Sequence, residues 1–297
     1  MDRLDAMSVL MSVVEHGSLS AASRALHSPL PTVSRKIAEL EAHLGVRLLT
    51  RTSRRVLLTE AGENYVAAAR DILERVDEAE RRTTGEYTAP KGDVRMTAPI
   101  VFGRLHLLPI ITDFLKAFPD INIHLTLSDR TISLADEHID AALRISTLSD
   151  SSLIAIRLGS IRTTTYANPD YLERHSCPLH PDELKDHDCI AFEGVLSTQS
   201  WTFHDNAKAV LVPIRTRLSV NTAEAAVDAA AAGLGITRVM AYQAKRAVDA
   251  GFLVPILEDF EREASPVHLV HLSEGLMPLK LRTFLDFATP RLRALLK

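Results

Sequence analysis

Residues 18–49 read SLSAASRALHSPLPTVSRKIAELEAHLGVRLL, and the two prolines near the centre of that stretch decide how it folds. Ser18 is placed to cap a helix whose apolar positions Leu19, Ala22, Ala25 and Leu26 recur at helical spacing. The segment HSPLP then interrupts it. Pro31 suits the first position of a new helix, where its missing N–H would have no partner anyway. From there Val33, Ile37, Leu40 and Leu44 form one apolar stripe, leaving Thr32, Arg35, Lys36 and Glu39 on the opposite face. The prolines therefore mark a tight turn between two short helices, the second of them polar and basic on its open side.

Working outward, Leu4, Val9, Leu10, Val13 and Val14 give an earlier helical stripe that stops at Gly17. After Gly45, VRLLTRTSRRVLLT alternates apolar and basic residues about a polar tip, as a short β-hairpin does. Thr59 caps a long segment in which Val66, Ala69, Leu73 and Val76 lie three and four apart, and Thr83, Thr84, Gly85 and Pro90 end it. So narrow a stripe on an otherwise charged helix needs a partner, which makes it a linker and dimerisation helix.

From Gly92 the pattern becomes strands alternating with helices. DVRMTAP, INIHLTLS, DAALRIS, LIAIRLGS and GITRV read as strands; IVFGRLHLLPIITDFLKAF, NTAEAAVDAAAAGLG and the closing segment Leu279 to Leu296 read as helices. That alternation predicts mixed or parallel sheets covered by helices.

The 297 residues suffice for two or three cores. Apolar residues at 46% and charged residues at 24% fit an ordinary globular protein. No signal peptide is read at the N-terminus, and no apolar run approaches the roughly 20 residues of a membrane span. Two cysteines, Cys177 and Cys189, are too few for a disulfide framework and point to a reducing cytoplasm. The net charge of −4 conceals an asymmetry. Residues 1–58 hold eight Lys/Arg against five acids, so the rest of the chain carries −7. A polyanion would meet the N-terminal end.

Helix, turn, polar helix and basic hairpin together are what a duplex-binding module needs. A helix fits the major groove, where Thr, Ser, Arg and Lys reach bases and phosphates. The stretch GSLSAASRALHSPLPTVSRKIAELEAHLGVRLLTRTSRRVLLTEAGENY closely resembles the N-terminal signature of LysR-type transcriptional regulators. RMTAP with FGR, SDR, DAALRIS and GLGI resemble the effector domain of the same family.

The resemblance implies a winged helix-turn-helix over residues 1–58, a linker helix over 59–88, and a periplasmic-binding-protein-like effector domain over 91–297. That last domain would hold two α/β subdomains, I at about 91–161 and 267–297, and II at about 162–266. It implies DNA contacts from Thr32, Ser34, Arg35 and Lys36 on the recognition helix and from Arg51, Arg54 and Arg55 on the wing, with Ser18 at the head of the preceding helix counted among them. It also implies a dimer, a dimer of such dimers, and a small-molecule effector. Where many members place Ser or Thr before the recognition helix, this chain has Pro29.

In a two-subdomain fold, ligands bind between the halves at strand ends and helix N-termini. Thr97, Ala98 and Pro99 end a strand and open a helix, so N–H groups near Ile100 and Val101 could face an anion. Asn221 or Thr222 caps a helix from the other subdomain, and Ser128, Arg144 and Ser146 sit at further strand ends. Phe102 and Trp201 are candidate apolar walls. Arg144 is the sharpest candidate, a guanidinium able to hold a carboxylate of a small, aromatic acid; its alternative is an ion pair with Asp129 or Asp136. Thr97 and Asn221 read equally well as plain helix caps.

Two rival classes compete with that reading. His175, Cys177, His180, His187 and Cys189 fall within fifteen residues and invite a metal-dependent enzyme, but their spacing matches no regular ligand pattern and Pro178 and Pro181 suit a surface loop. His268 and His271 lie in an apolar strand as structural histidines. No nucleophile elbow, Walker loop or dinucleotide fingerprint is present. A transport-type solute-binding protein has no use for a basic N-terminal helix pair. The expectation is a DNA-binding regulator that is not an enzyme, with no cofactor, no metal and no membrane association.

Overall fold

The computed structural model describes residues 1–297 except 52–55, 85–88, 149–152, 193–198, 206–207, 262, 273–276 and 297, and except the side chains at 51, 71, 78 and 81–84. The chain divides into two compact units, Met1–Ala89 and Pro90–Lys297.

The first unit contains α1 (Arg3–His16), α2 (Leu19–Ala25), α3 (Leu30–Leu44), the strands β1 (Leu49–Arg51) and β2 (Val56–Leu58), and α4 (Glu60–Thr84). Asp2 caps α1 by accepting from the N–H groups of Leu4 and Asp5, and Gly17 ends it with φ 68°, a left-handed conformation that costs glycine nothing. Ser18 Oγ accepts from Ala21 N–H at 3.1 Å and starts α2 at once. Pro29 takes the N-cap position of α3, so Pro31 stands second in the helix where the sequence suggested first. Both positions tolerate a missing N–H, because the first turn has no acceptor for it. Ala6, Val9, Leu10, Val13, Ala22, Val33, Ile37, Leu40, Leu48, Leu49 and Val66 pack into one core that binds the three helices, the hairpin and the start of α4. The hairpin is antiparallel, with Leu49 opposite Leu58.

In the second unit β3 (Gly92–Ala98) leads into a helix of three parts: α5 (Ile100–Phe102), a π turn at Gly103–Leu107, and α6 (Leu108–Ala117). Then follow β4 (Ile121–Leu127), β5 (Ala141–Ile145), β6 (Leu153–Ile161), β7 (Thr163–Ala167), α7 (Pro169–His175), β8 (Asp188–Phe192), β9 (Ser200–Asp205), β10 (Lys208–Pro213) and β11 (Arg215–Val220). The chain ends with α8 (Ala223–Ala231), β12 (Ile236–Met240), α9 (Ala241–Asp249), β13 (Val254–Ile256), β14 (Ser265–Leu272) and α10 (Leu279–Leu295).

Two five-stranded mixed sheets result, ordered β4-β3-β5-β14-β6 and β11-β8-β12-β7-β13, with β9 and β10 forming a separate antiparallel pair. The chain passes from the first sheet to the second at Arg162 and returns between Ile256 and Ser265. Each sheet has its own core. Val94, Met96, Phe114, Leu143, Leu269 and Phe284 lie in the first, against α6 and α10. Ile190, Phe192, Ala226, Ala230 and Val239 lie in the second, against α8 and α9. In the first sheet β4, β3 and β5 run parallel, so their C-terminal ends share one edge.

Among the described residues no helix is long and apolar enough to cross a membrane.

Candidate functional site

In the first unit the open face of α3 is built by elimination. Val33, Ile37 and Leu40 are fully buried, which turns Pro31, Arg35 and Ala38 outward, with Thr32 and Ser34 half-buried beside them. Arg35 extends along the helix and pairs with Glu39 at 3.1 Å; its side chain is 66% exposed, so this pair is weak and easily exchanged for a phosphate or a base edge. Lys36 departs from expectation. It points at α1, where its ammonium pairs with Asp5 at 2.6 Å, and it is mostly covered. Position 36 lies next to buried Ile37, on the side of the helix that α1 occupies, and the opposite charge there captures the side chain. Ser18 is a helix cap, and its hydroxyl is engaged within its own turn.

The hairpin is fixed to α3 by a residue the sequence did not flag. Glu41 Oε1, near the end of α3, accepts from both Leu48 N–H at 2.8 Å and Leu49 N–H at 3.0 Å. A glutamate in the last turn of a helix, followed by a strand, carries no spacing signal for such a bond. Arg54 and Arg55 lie outside the described residues, as does the side chain of Arg51.

In the second unit the C-terminal edge of the first sheet gathers several expected residues. Thr97 and Ala98 are buried at the end of β3, and Pro99 is the N-cap position of α5. Ser128 donates its backbone N–H to the Ala98 carbonyl at 2.9 Å, and its hydroxyl accepts from Arg130 N–H. Arg144 is half-buried at the end of β5, and Ser146 is exposed just beyond it. The first turn beyond Pro99 then reaches the core of the second sheet. Val101 and Leu105 join the apolar cluster of Ala223, Ala226 and Tyr166. Arg104 pairs with Glu224 at 3.0 Å. Phe102 and His106 meet Tyr242 with ring centroids 5.5 and 5.8 Å away. Thr222 caps α8 on the far side by accepting from Ala225 N–H, while Asn221 is exposed.

The occupant of the α5 N-terminus is the chain itself. Ile100 N–H donates to Asp129 Oδ1 at 3.1 Å, so the anion foreseen there is a carboxylate from the loop after β4. Asp129 Oδ2 is buried with no hydrogen-bond partner among the described residues. Burial pushes the Asp129 pKa up, the Ile100 N–H opposes that, and the charge of Glu224 adds to the rise. Burial likewise raises Tyr242, with Asp129 and then Glu224 contributing in the same direction. Asp129 entered the sequence reading only as a partner for Arg144. Its SDR context was the available signal, but its bond to Ile100 spans 29 residues.

Two expectations are corrected. Arg144 pairs with neither Asp129 nor Asp136 through any described contact; its Nη2 donates to the Ile132 carbonyl at 2.8 Å, because β5 turns that side chain toward the covering loop. Trp201 does not stand beside Phe102. It is 1% exposed inside a different cluster with Tyr171, Phe203 and Val212, whereas Phe102 belongs to the core of the first sheet. A long apolar side chain alternating inward on a hairpin is pulled into whichever core that hairpin covers.

The histidines and cysteines of 175–189 are spread among separate roles. His175 stacks on Tyr171, His180 accepts from Asp182 N–H, and His187 contacts the Tyr171 hydroxyl at 3.3 Å. Burial pushes the Cys189 thiol up to about 12, which makes it inert as a nucleophile or ligand at neutral pH. No group of three His, Cys, Asp or Glu able to hold a metal occurs among the described residues.

Comparison with known proteins places both units. Residues 4–63 match the model described as "Bacterial regulatory helix-turn-helix protein, lysR family", and residues 88–293 match "LysR substrate binding domain". An HTH-type transcriptional regulator of Xanthomonas campestris is 34% identical over 288 residues, covering 96% of this chain and 84% of the relative. The full-length virulence activator AphB of Vibrio cholerae superposes with a TM-score of 0.61 at 29% identity, covering 96% of this chain and 98% of that one. CrgA of Neisseria meningitidis gives a TM-score of 0.61 at 30% identity, covering 97% and 98%.

Proposed function

This chain belongs to the LysR family of bacterial regulatory proteins, and from that premise we propose that it reads a specific operator through α3 and reports a small organic effector held between its two subdomains. It is a DNA-binding transcriptional regulator with an effector-binding domain and not an enzyme. The observation that carries the finer reading is the open face of α3, where Arg35 stands exposed between Thr32 and Ser34 on a helix locked to its hairpin by Glu41.

Thr32, Ser34 and Arg35 address base edges in the major groove, while Arg51, Arg54 and Arg55 address the backbone. Lys36 supports α3 through Asp5 and contributes less to the groove. The α4 helices pair two chains, and two such dimers assemble on one face of the duplex in the cytoplasm. The effector lies at the edge formed by Thr97, Pro99 and Ser128, facing Thr222. Binding favours one relative orientation of the subdomains and so alters any bend in the DNA.

The test is a salt titration of operator and random-sequence binding by the full chain. Arg35→Ala loses specific affinity, by about 1–3 kcal/mol if the guanidinium reads a base. Arg54→Ala weakens all sequences alike and lowers the salt slope by about one. Equal losses on specific and random DNA from both variants refute the division of roles. Sedimentation of the full chain as a monomer at micromolar concentration refutes the assembly.

A further inference from the structure

Arg35 and Lys36 of α3 are each matched to an acid of the same unit, but on unequal terms. Lys36 pairs with Asp5 of α1 at 2.6 Å and is mostly covered, so it stays where it is. Arg35 pairs with Glu39, one turn further along its own helix, at 3.1 Å, and the two side chains are 66% and 41% exposed. Thr32, Arg35 and Glu39 follow one another at spacings of three and four, on the side of the helix away from the fully buried Val33, Ile37 and Leu40. The open face of α3 therefore presents a carboxylate beside its arginine.

Duplex DNA carries one negative charge per about 1.7 Å of its axis, so a carboxylate on that face opposes binding to any sequence. What offsets this is the bond it makes. Glu39 takes Nη1 of Arg35, which leaves the Nε–Nη2 edge, with two parallel N–H donors, for a base that offers two acceptors, as guanine does. A base engaged through that edge lets Glu39 keep Nη1. A phosphate that draws the whole guanidinium off Glu39 leaves the carboxylate unpaired beside a polyanion. The two kinds of contact thus differ in what they do to Glu39.

We propose that Glu39 is a specificity-determining residue of the DNA interface: it positions Arg35 for a base edge, and its charge weakens contacts made to phosphate alone. It acts through Arg35 and contacts no base itself. The inference rests on α3 being the helix that reads the groove, and adds to that face a residue that lowers affinity for random sequence more than for the operator.

Competition binding by the full chain tests it with two duplexes: the sequence that the native chain enriches from a randomised pool, and a scramble of that sequence. Glu39→Gln removes the charge and keeps an acceptor for Arg35. It binds the scramble about threefold or more tighter than the native chain does, with a salt slope steeper by about one, and gains nothing on the enriched duplex. The ratio of the two affinities falls accordingly. In the double variant Arg35→Ala, Glu39→Gln the ratio equals that of Arg35→Ala alone. Because the pair is exposed it contributes little to folding, and unchanged circular dichroism verifies that each variant is folded. An unchanged ratio in Glu39→Gln, or a fall of the same size with and without Arg35, overturns the proposal. If Arg35→Ala lowers the ratio and Glu39→Gln does not, only the role of Glu39 fails; if Arg35→Ala leaves the ratio unchanged, the reading of α3 fails and the role of Glu39 with it.

Discussion

Arg238 is only 3% exposed in the middle of β12, and both terminal nitrogens of its guanidinium are engaged, while its Nε is buried without a hydrogen-bond partner among the described residues. Its Nη2 pairs with Glu261 at 2.6 Å, its Nη1 donates to the Thr202 carbonyl at 2.6 Å, and its guanidinium carbon lies 4.2 Å from the Phe203 ring centroid. Thr165 donates to the second Glu261 oxygen at 2.7 Å. Glu261 belongs to the returning crossover, so a single carboxylate ties that segment to both β7 and β12 of one sheet. Removing one partner strands a buried charge and costs about 3–5 kcal/mol, whereas replacing both by apolar residues of similar size recovers most of it. Urea unfolding of Glu261→Leu against the double variant Arg238→Met, Glu261→Leu measures this, and equal losses in both would contradict it. Asp129 gives a pH signature of opposite character. Its pKa is raised in the folded chain, so its stabilising share is complete when the carboxyl is protonated and is lost as pH rises through the folded value. Asp129→Asn therefore unfolds at an equal or higher temperature than the native chain at neutral pH, and the advantage disappears below about pH 4. A variant less stable than the native chain at neutral pH would show that the charge is welcome there.

At the scale of elements, the junction between hairpin and α4 is the most constrained in the first unit. Thr59 Oγ1 accepts from Gly62 N–H at 3.0 Å and donates to the Arg47 carbonyl at 2.7 Å, so one hydroxyl both caps α4 and holds the strand leading into the hairpin. Thr59→Ala destabilises the unit by about 1 kcal/mol, as loss of a helix cap does. Gly62 faces the Leu48 carbonyl so closely that a methyl group at that position would run into it. Gly62→Ala therefore forces α4 away from the hairpin, with a larger loss than Thr59→Ala and a matching loss of operator binding. Thermal unfolding followed by circular dichroism ranks the two, and the reverse order would refute the close approach. The sequence showed that Thr59 is a cap; it did not show why Gly62 follows, since the obstructing carbonyl belongs to another element.

Over the whole molecule, the division into Met1–Ala89 and Pro90–Lys297 predicts separable unfolding. Calorimetry of the full chain should resolve two transitions, with Gly62→Ala lowering only one and Glu261→Leu only the other. A single transition shifted equally by both would mean that the units fold as one. The helix boundaries, the turn at HSPLP, the caps Ser18 and Thr59 and the alternation of strands with helices were legible in the sequence, because each is decided within one or two turns of chain. Family membership was legible for the same reason, its signature being a continuous run of local choices. Lys36, Arg144, Trp201 and Asp129 were not. Lys36 answers to Asp5 on another helix, Trp201 to the core its hairpin happens to cover, and Asp129 to an N–H 29 residues away. Periodicity says which face a side chain takes, but only tertiary packing says what stands opposite, and a charged group's role is set by what it meets across space.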